Sequence, residues 1–543
     1  MKPTAIVLAG LESAGKSALF RGLTGLATGD EANFRGSTVV CRTCHLAECG
    51  CDVVDTPGIR SQSDSDAAQL ALAALKHADA VVLVARGTHA VSEVETLLKE
   101  LDLAGKRSAL AMTFADKAPA EIQQLAALYR ERLGIPVVVI NARHLDAEAR
   151  QEVISAIRQA SAMRSDEAPV EANTPMVQPA RTWFEHRIAG PLLALLAMAL
   201  MFALPVFAAY ELASWAQPLI DAAVIVPLKT ALAWLPPFAA AMLTGSYGLL
   251  TLGWYSFLWA FPVVLLISLS VAVTEESGLK DRITAALDPW LRRVGLSGRD
   301  LIPVLTGFGC NVVAVMQSRA CSRCTRERCV SMISFGSACS YQIGASLSIF
   351  GAAGHPGLFM PYLAALFVTS ALHTRLWHGR LAPEQVSPLQ ERAFLQWPSA
   401  RAIAWRVRAA VKQFLWQAMP VFLLICAVSA LLDHVGLITR AAAWIAPALS
   451  WLHLPNEAAP ALLFSLLRKD GLLVLNSGDG SLLASLTAAQ IFLLVWLAST
   501  LSSCLVTLWT VKKELGWRAL ASLAGRQALV SLASAYLLSA WWR

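Results

Sequence analysis

Three observations predict a two-part chain: an N-terminal α/β P-loop domain followed by an all-α polytopic membrane domain. Residues 5–9 are a short apolar, strand-like run that opens into Gly10-Leu11-Glu12-Ser13-Ala14-Gly15-Lys16-Ser17, a G-x-x-x-x-G-K-S element in a strand-to-helix setting. From about residue 187 onward, apolar stretches recur near the roughly 20-residue length that crosses a bilayer. The whole chain of 543 residues is 56% hydrophobic and only 15% charged, against about 25% charged in a soluble chain.

The N-terminal part, residues 1–163, alternates strand-like and helix-like segments. Residues 81–84 and 136–140 are short apolar runs suited to a parallel sheet buried on both faces. Residues 66–77, 121–133 and 147–162 read as helices. An acidic, proline-containing stretch gives a linker over 164–186. The first thirty residues carry no secretory signal, which predicts a cytoplasmic N-terminal domain.

The P-loop assigns Gly10, Ser13, Ala14, Gly15, Lys16, Ser17 and Ala18 to a phosphate cradle. Backbone N–H groups and the helix N-terminus face the anion, Lys16 reaches the terminal phosphates and the Ser17 hydroxyl meets Mg²⁺. Asp55-Thr56-Pro57-Gly58 supplies a D-x-x-G element after an apolar strand. Its Asp55 would hold Mg²⁺ through water and its Gly58 N–H would sense the γ-phosphate. Thr38 stands where a switch threonine would complete the Mg²⁺ shell. Asn141-Ala142-Arg143 follows a strand at the place of a guanine-contacting loop. The base-reading element is reduced to Thr113-Phe114-Ala115-Asp116-Lys117. There Asp116 can still accept from guanine, while Thr113 lacks the amide of an Asn. In this order the elements point to a Ras-like GTPase domain using GTP and Mg²⁺, with Lys16, Thr38 and Gly58 as its catalytic groups. Ile59-Arg60-Ser61 offer no water-positioning Gln after Gly58, so slow turnover is expected.

The part from 187 to 543 reads as seven spans, at 189–209, 249–271, 330–350, 358–376, 414–432, 488–511 and 520–541. Two shorter apolar segments, 301–316 and 458–475, are broken by glycine or charge. Interrupted segments in matching positions of two halves mark a transport site, giving gate repeats at about 249–376 and 412–511. Arg319, Arg323, Arg326 and Arg328 form a basic loop, and residues 375–408 and Lys512-Lys513 are also basic. The net charge of +7 thus reflects basic loops on the cytoplasmic side rather than nucleic-acid binding.

The chain resembles the ferrous-iron transporter B (FeoB) family along nearly its whole length. The resemblance rests on Glu275-Glu276-Ser277-Gly278, Gly307-Phe308-Gly309-Cys310-Asn311-Val312, Arg326-Glu327-Arg328, Ser337-Ala338-Cys339-Ser340, Leu467-Arg468-Lys469-Asp470, Ser503-Cys504 and Lys512-Lys513-Glu514-Leu515-Gly516-Trp517. It implies a GTP-dependent, multi-pass importer of Fe²⁺ in the bacterial inner membrane, with Cys310, Cys339 and Cys504 lining the ion path. Glu275, Glu276 and Asn311 are further oxygen ligands or loop contacts, and Arg468, Lys469 and Asp470 a structural ion network. Its partners would be the bilayer, GTP, Fe²⁺, a small cytoplasmic protein of the same transport system and further copies of the chain. The chain departs from the family in lacking a helical domain after the GTPase, and in Ser13, Val313 and Gln342-Ile343. Two rival readings stand beside this one. One is transport of another soft divalent ion, Zn²⁺ or Mn²⁺; the other is a membrane-bound metal-sensing GTPase that moves nothing.

Of eleven cysteines, Cys41, Cys44, Cys49 and Cys51 cluster with His45 on an expected hairpin. Their types suit a Zn or Fe site, reversible redox chemistry or no special role. Cys321, Cys324 and Cys329 lie among arginines, which lower thiol pKa and repel cations.

Overall fold

The computed structural model describes residues 5–11, 14–25, 42–58, 66–103, 105–164, 177, 179–245, 248–381, 394–476 and 481–541. Ser13, Thr38 and Cys41 lie outside the described residues, as do Ile59-Arg60-Ser61. The chain divides into two units, the first running to Arg181 and also taking in Arg319–Arg323, the second beginning at Thr182.

The first unit is built on a sheet of order β2-β3-β1-β4-β5-β6, from β1 (Ala5–Gly10), β2 (Arg42–Leu46), β3 (Cys51–Asp55), β4 (Ala80–Arg86), β5 (Arg107–Thr113) and β6 (Val137–Val139). Strand β1 runs parallel to β3 and β4, with Val7 opposite both Val54 and Val81. The hairpin partner β2 is antiparallel to β3. Continuous apolar runs form the central strands because both faces are covered. On one face, α1 (Lys16–Thr24) and α5 (Ala147–Arg158) pack Leu19, Leu23, Ile154 and Ile157 against Ile6 and Leu8. On the other, α2 (Asp66–Lys76), α3 (Ala90–Glu100) and α4 (Ile122–Leu133) bring Leu75, Leu97 and Tyr129 onto Val7, Val81 and Leu83. The helix expected over 147–162 stops at Arg158. Ser161–Ala162 instead form β7 against the start of β5, where the Arg107 guanidinium donates to the carbonyls of Ala160 and Arg158.

In the second unit, five helical segments are long and apolar enough to cross a membrane among the described residues: Ala189–Ala231, Leu252–Ser277, Pro356–His378, Ala400–His434 and Ala488–Leu515. The seven-span expectation is corrected at three places, one of them 488–511, which breaks at 501–504 between Ala488–Thr500 and Leu505–Leu515. Residues 330–350 are not one span but two helices, Arg323–Gly336 and Ser340–Ala352, parted at residues 337–339. Residues 520–541 belong to the continuous helix Trp517–Trp541, but Arg518, Arg526 and Gln527 dilute its apolar character. The expected Arg319–Arg328 loop is also partly helical, since Arg323, Arg326 and Arg328 sit on the first turns of Arg323–Gly336.

One order of elements occurs twice. The first copy runs through Leu252–Ser277, Leu279–Val294, the broken pair Leu301–Gly307 and Asn311–Gln317, the broken pair Arg323–Gly336 and Ser340–Ala352, and Phe359–His378. The second runs through Ala400–His434, Leu437–Trp451, the broken pair Ala459–Leu467 and Gly471–Asn476, the broken pair Ala488–Thr500 and Leu505–Leu515, and Trp517–Trp541. Gly336 ends its helix against Phe359–His378 so closely that a Cβ there would fall 2.1 Å from Ser370 Oγ. Replacing it with Val overpacks this contact. Gly336→Val is expected to destabilise the second unit by about 1–3 kcal/mol, read as a lower thermal midpoint of the detergent-solubilised chain.

Candidate functional site

The P-loop residues gather at the C-terminal end of β1, the sheet edge where parallel α/β folds bind ligands. Gly15 sits at the N-cap of α1 with φ 92°, a left-handed conformation that costs a glycine little. The Lys16 ammonium donates to the carbonyls of Gly10 (2.9 Å) and Leu11 (2.7 Å), holding it across the loop. Ser17 Oγ donates to Asp55 Oδ2 at 2.8 Å. The hydroxyl and carboxylate proposed for Mg²⁺ are thus adjacent, and they fit an oxygen-seeking divalent ion. Thr56 Oγ1 donates to the Leu8 carbonyl (2.7 Å), fixing the D-x-x-G element to β1. Pro57 is buried beside it and Gly58 half-buried.

Thr113 has a role the sequence did not disclose. Fully buried at the end of β5, its hydroxyl donates to the P-loop carbonyl of Ala14 at 2.7 Å and reaches that of Ala85 at 3.2 Å. It therefore ties the end of β5 to the P-loop. The next residue, Phe114, takes φ 59°, and Ala115 N then donates to the Ile140 carbonyl at 3.2 Å. This joins the loop carrying exposed Asp116 and half-buried Lys117 to the loop carrying Asn141, Ala142 and Arg143. In the latter, Asn141 Oδ1 accepts from Arg143 N (3.1 Å) and Ala142 is buried. Ala18 faces the core.

Among the described residues the cysteine hairpin does not form the expected metal centre. Strands β2 and β3 do form a hairpin, but Cys49 and Cys51 are joined as a disulfide and packed with Leu46 and Val53 in the core. Cys44 is half-buried against the same cluster. The alternation of β3 turns the Cys51 sulfur inward among apolar side chains, and Cys49 reaches it from the turn. Among the described residues, no group of three or more His, Cys, Asp or Glu is placed to hold a metal ion.

In the second unit, Cys310, Cys339 and Cys504 share one local structure. Each stands in extended conformation at the N-cap of a half-helix: Asn311–Gln317, Ser340–Ala352 and Leu505–Leu515. Cys310 is exposed, Cys504 half-buried and Cys339 buried. The breaks at Cys310 and Cys339 meet through their neighbours, Gly309 and Ser340. The breaks are stitched by side chains and backbone. Ser337 Oγ donates to the Val304 carbonyl (3.1 Å), and both N and Oγ of Ser340 donate to the Gly309 carbonyl. Gln527, on the last helix, donates through Nε2 to the carbonyls of Ser334 (3.1 Å) and Thr500 (2.9 Å), and Ser503 Oγ also donates to Ser334 (3.0 Å).

At the second break Arg468 makes a two-pronged pair with Asp470, both contacts at 2.9 Å. Its guanidinium lies 3.6 Å from the Phe422 ring centroid and 4.7 Å from that of Tyr341. Asp470 Oδ2 also accepts from Ser256 Oγ at 2.8 Å. Lys469 Nζ donates to backbone carbonyls of Ala498, Ser499 and Ser502. Glu275 and Glu276 are held by cations: Glu275 by Lys280 and Arg406, Glu276 by Arg406 at 2.9 Å. They brace the helix Leu252–Ser277 against Ala400–His434.

Two family models match. The one described as ferrous iron transport protein B matches residues 4–157. The Gate model, described as nucleoside recognition, matches residues 257–353 and again 415–518, the two copies of the element order above. The chain belongs to the FeoB family. The Fe(2+) transporter FeoB of Helicobacter pylori is 27% identical over 153 residues, which are 27% of this chain and 23% of that protein. A Fe(2+) transport protein A/Fe(2+) transporter FeoB fusion protein of Porphyromonas gingivalis is 30% identical over 91 residues, 17% of this chain and 11% of that protein. These matches span less than a quarter of the length of those relatives. Among solved structures, S. thermophilus NFeoB E67A bound to GDP.AlF4- shows 25% identity over 29% of this chain and 64% of that chain, with TM-score 0.25.

Polar residues inside apolar segments were the signal for what sequence reading missed in this FeoB-family chain. Gln342 Nε2 donates to Tyr362 OH (2.7 Å), which also meets Ser499 Oγ (2.7 Å), in a buried relay between the two copies. Two outcomes are expected. Thr113→Val removes the P-loop tether and leaves the Ala14 carbonyl short of a donor, weakening nucleotide binding by about 1–2 kcal/mol; titration with a fluorescent guanine nucleotide reads this. Asp470→Asn strands the Arg468 charge and costs about 3–5 kcal/mol of stability, seen as early loss of monodispersity on heating.

Proposed function

We propose that this chain is a GTP-controlled importer of Fe²⁺ in a bacterial inner membrane, with its P-loop domain in the cytoplasm. The observation that carries the reading is the set of three thiols heading three half-helices. Thiolate is a ligand for a borderline-soft ion, and each of the three thiols stands at a helix break. Cys310 offers the open end of the path and Cys339 the enclosed end. Asn311 Oδ1, buried beside Cys310 with no hydrogen-bond partner among the described residues, adds a neutral oxygen.

In the first unit, the N–H groups around Gly15 and the Lys16 ammonium bind and orient the phosphates. Ser17 and Asp55 hold Mg²⁺, which supplies charge neutralisation on the phosphates. Asp116 accepts from the base, and Asn141, Ala142 and Arg143 flank it. Gly58 and Thr38 respond to the γ-phosphate, biasing the broken helices of the membrane unit. The fusion protein of Porphyromonas gingivalis supports a small cytoplasmic partner that works with this chain.

The deciding experiment is ⁵⁵Fe²⁺ uptake into proteoliposomes with GTP on the P-loop side. Wild type is expected to take up iron, while Lys16→Ala and Cys310→Ser each lose most of it. A wild type that binds GTP but takes up no iron, and does take up Zn²⁺ or Mn²⁺, replaces the cargo. No flux of any of these ions, with a metal-dependent GTPase rate, makes the chain a sensor.

A further inference from the structure

The two copies of the gate differ in what stands at the break of their short helix pair. In the first copy the break carries Cys310 and Asn311, a thiol and a buried carbonyl acceptor. In the second it carries Arg468, Lys469 and Asp470, each at least nine-tenths buried. Arg468 and Asp470 neutralise one another, as described above. Lys469 has no such arrangement: among the described residues no carboxylate pairs with it, and Asp470 is already committed to Arg468 and Ser256.

What Lys469 does have is a cage of backbone oxygens. The carbonyls of Ala498, Ser499 and Ser502 surround its ammonium, one for each of its three protons. Ala498 and Ser499 belong to the last turn of Ala488–Thr500, where a helix leaves carbonyls without partners and its dipole is negative. Ser502 lies in the break itself, two residues before Cys504. A ring of carbonyl oxygens at a helix C-terminus is also the environment that a free cation takes in a membrane protein. The Ser502 contact places the ammonium against the backbone that leads into Cys504.

We propose that Lys469 is a tethered cation that occupies the second gate when the ion path is empty and must leave its carbonyl cage for a divalent ion to settle on Cys339 and Cys504. This inference rests on the thiol-pathway reading above. On arrival of the ion the two thiols lose their protons to solvent and ligate it. The ion's charge then repels the ammonium out of the cage. The freed carbonyls of Ser499 and Ser502 release the break ahead of Leu505–Leu515, so that ion occupancy and helix movement are one event. Lys469 is a positioning residue in this scheme and touches no ion.

The test uses the full chain in lipid nanodiscs with Co²⁺, whose thiolate coordination gives a charge-transfer absorption. Removing the competing charge in Lys469→Met is expected to tighten Co²⁺ binding by about tenfold or more, as like charges a few ångströms apart in a partly buried site require, while Lys469→Arg stays near wild type. A Lys469→Met chain that binds Co²⁺ no tighter than wild type overturns the proposal. A second measurement needs no variant: acylation of Lys469 in the wild type, followed by mass spectrometry, should be slow without metal and rise severalfold at saturating Co²⁺. Equal labelling with and without Co²⁺ overturns the proposal even if Lys469→Met fails to fold. The thiol pathway is scored separately by Cys504→Ser. If the wild-type absorption is lost in that variant, the pathway stands whatever Lys469 does. If the wild type shows no thiolate absorption, pathway and tethered cation fall together.

Discussion

Every interruption of a helix inside an apolar slab frees backbone N–H and C=O groups that have no water to turn to. The second unit of this chain is organised around that constraint. Cys310, Cys339 and Cys504 stand at interruptions, and polar side chains nearby are spent on stitching them. Serines at 337, 340 and 503, Gln527 and the Lys469 ammonium all answer freed carbonyls. Without them the breaks would be too costly to keep, and the thiols would be buried along continuous helices with no open backbone beside them.

The first unit meets the same requirement from the other end. There a helix N-terminus leaves N–H groups facing outward, and the loop before it is pinned by Lys16, Thr56 and Thr113 rather than by regular structure. An anion is the natural partner of such a site. In the membrane unit N-termini are headed by sulfur, and the C-terminus of Ala488–Thr500 is capped by a cation. Both units therefore work through unsatisfied helix ends, and differ in which charge the ends are prepared to receive.

Much of this was legible in the sequence because its signals are local. A P-loop between an apolar strand and a helix, a D-x-x-G after a second strand, and apolar segments broken by Gly309 or by Arg468–Asp470 can each be read from a few neighbouring residues. What escaped depends on contacts between residues far apart in sequence. Thr113 read as a weakened base-contact residue, and only its nearness to Ala14, 99 positions away, shows it as a tether. Apolarity over 330–350 read as one span, because hydropathy does not register that Ser337 and Ser340 bond to a segment 31 to 33 residues upstream. The hairpin cysteines had the ligand types of a metal site, but the alternation of β3 sends Cys51 into the core along with Val53.

Gln527 has a consequence for how the two halves can behave. Its single amide group holds the last residues of one broken span from the first copy and of another from the second, at Ser334 and Thr500. Neither end can shift without breaking a bond to the side chain that also secures the other. The duplicated halves thus share a common pin. The pin is supplied by Trp517–Trp541, a helix that carries none of the three thiols.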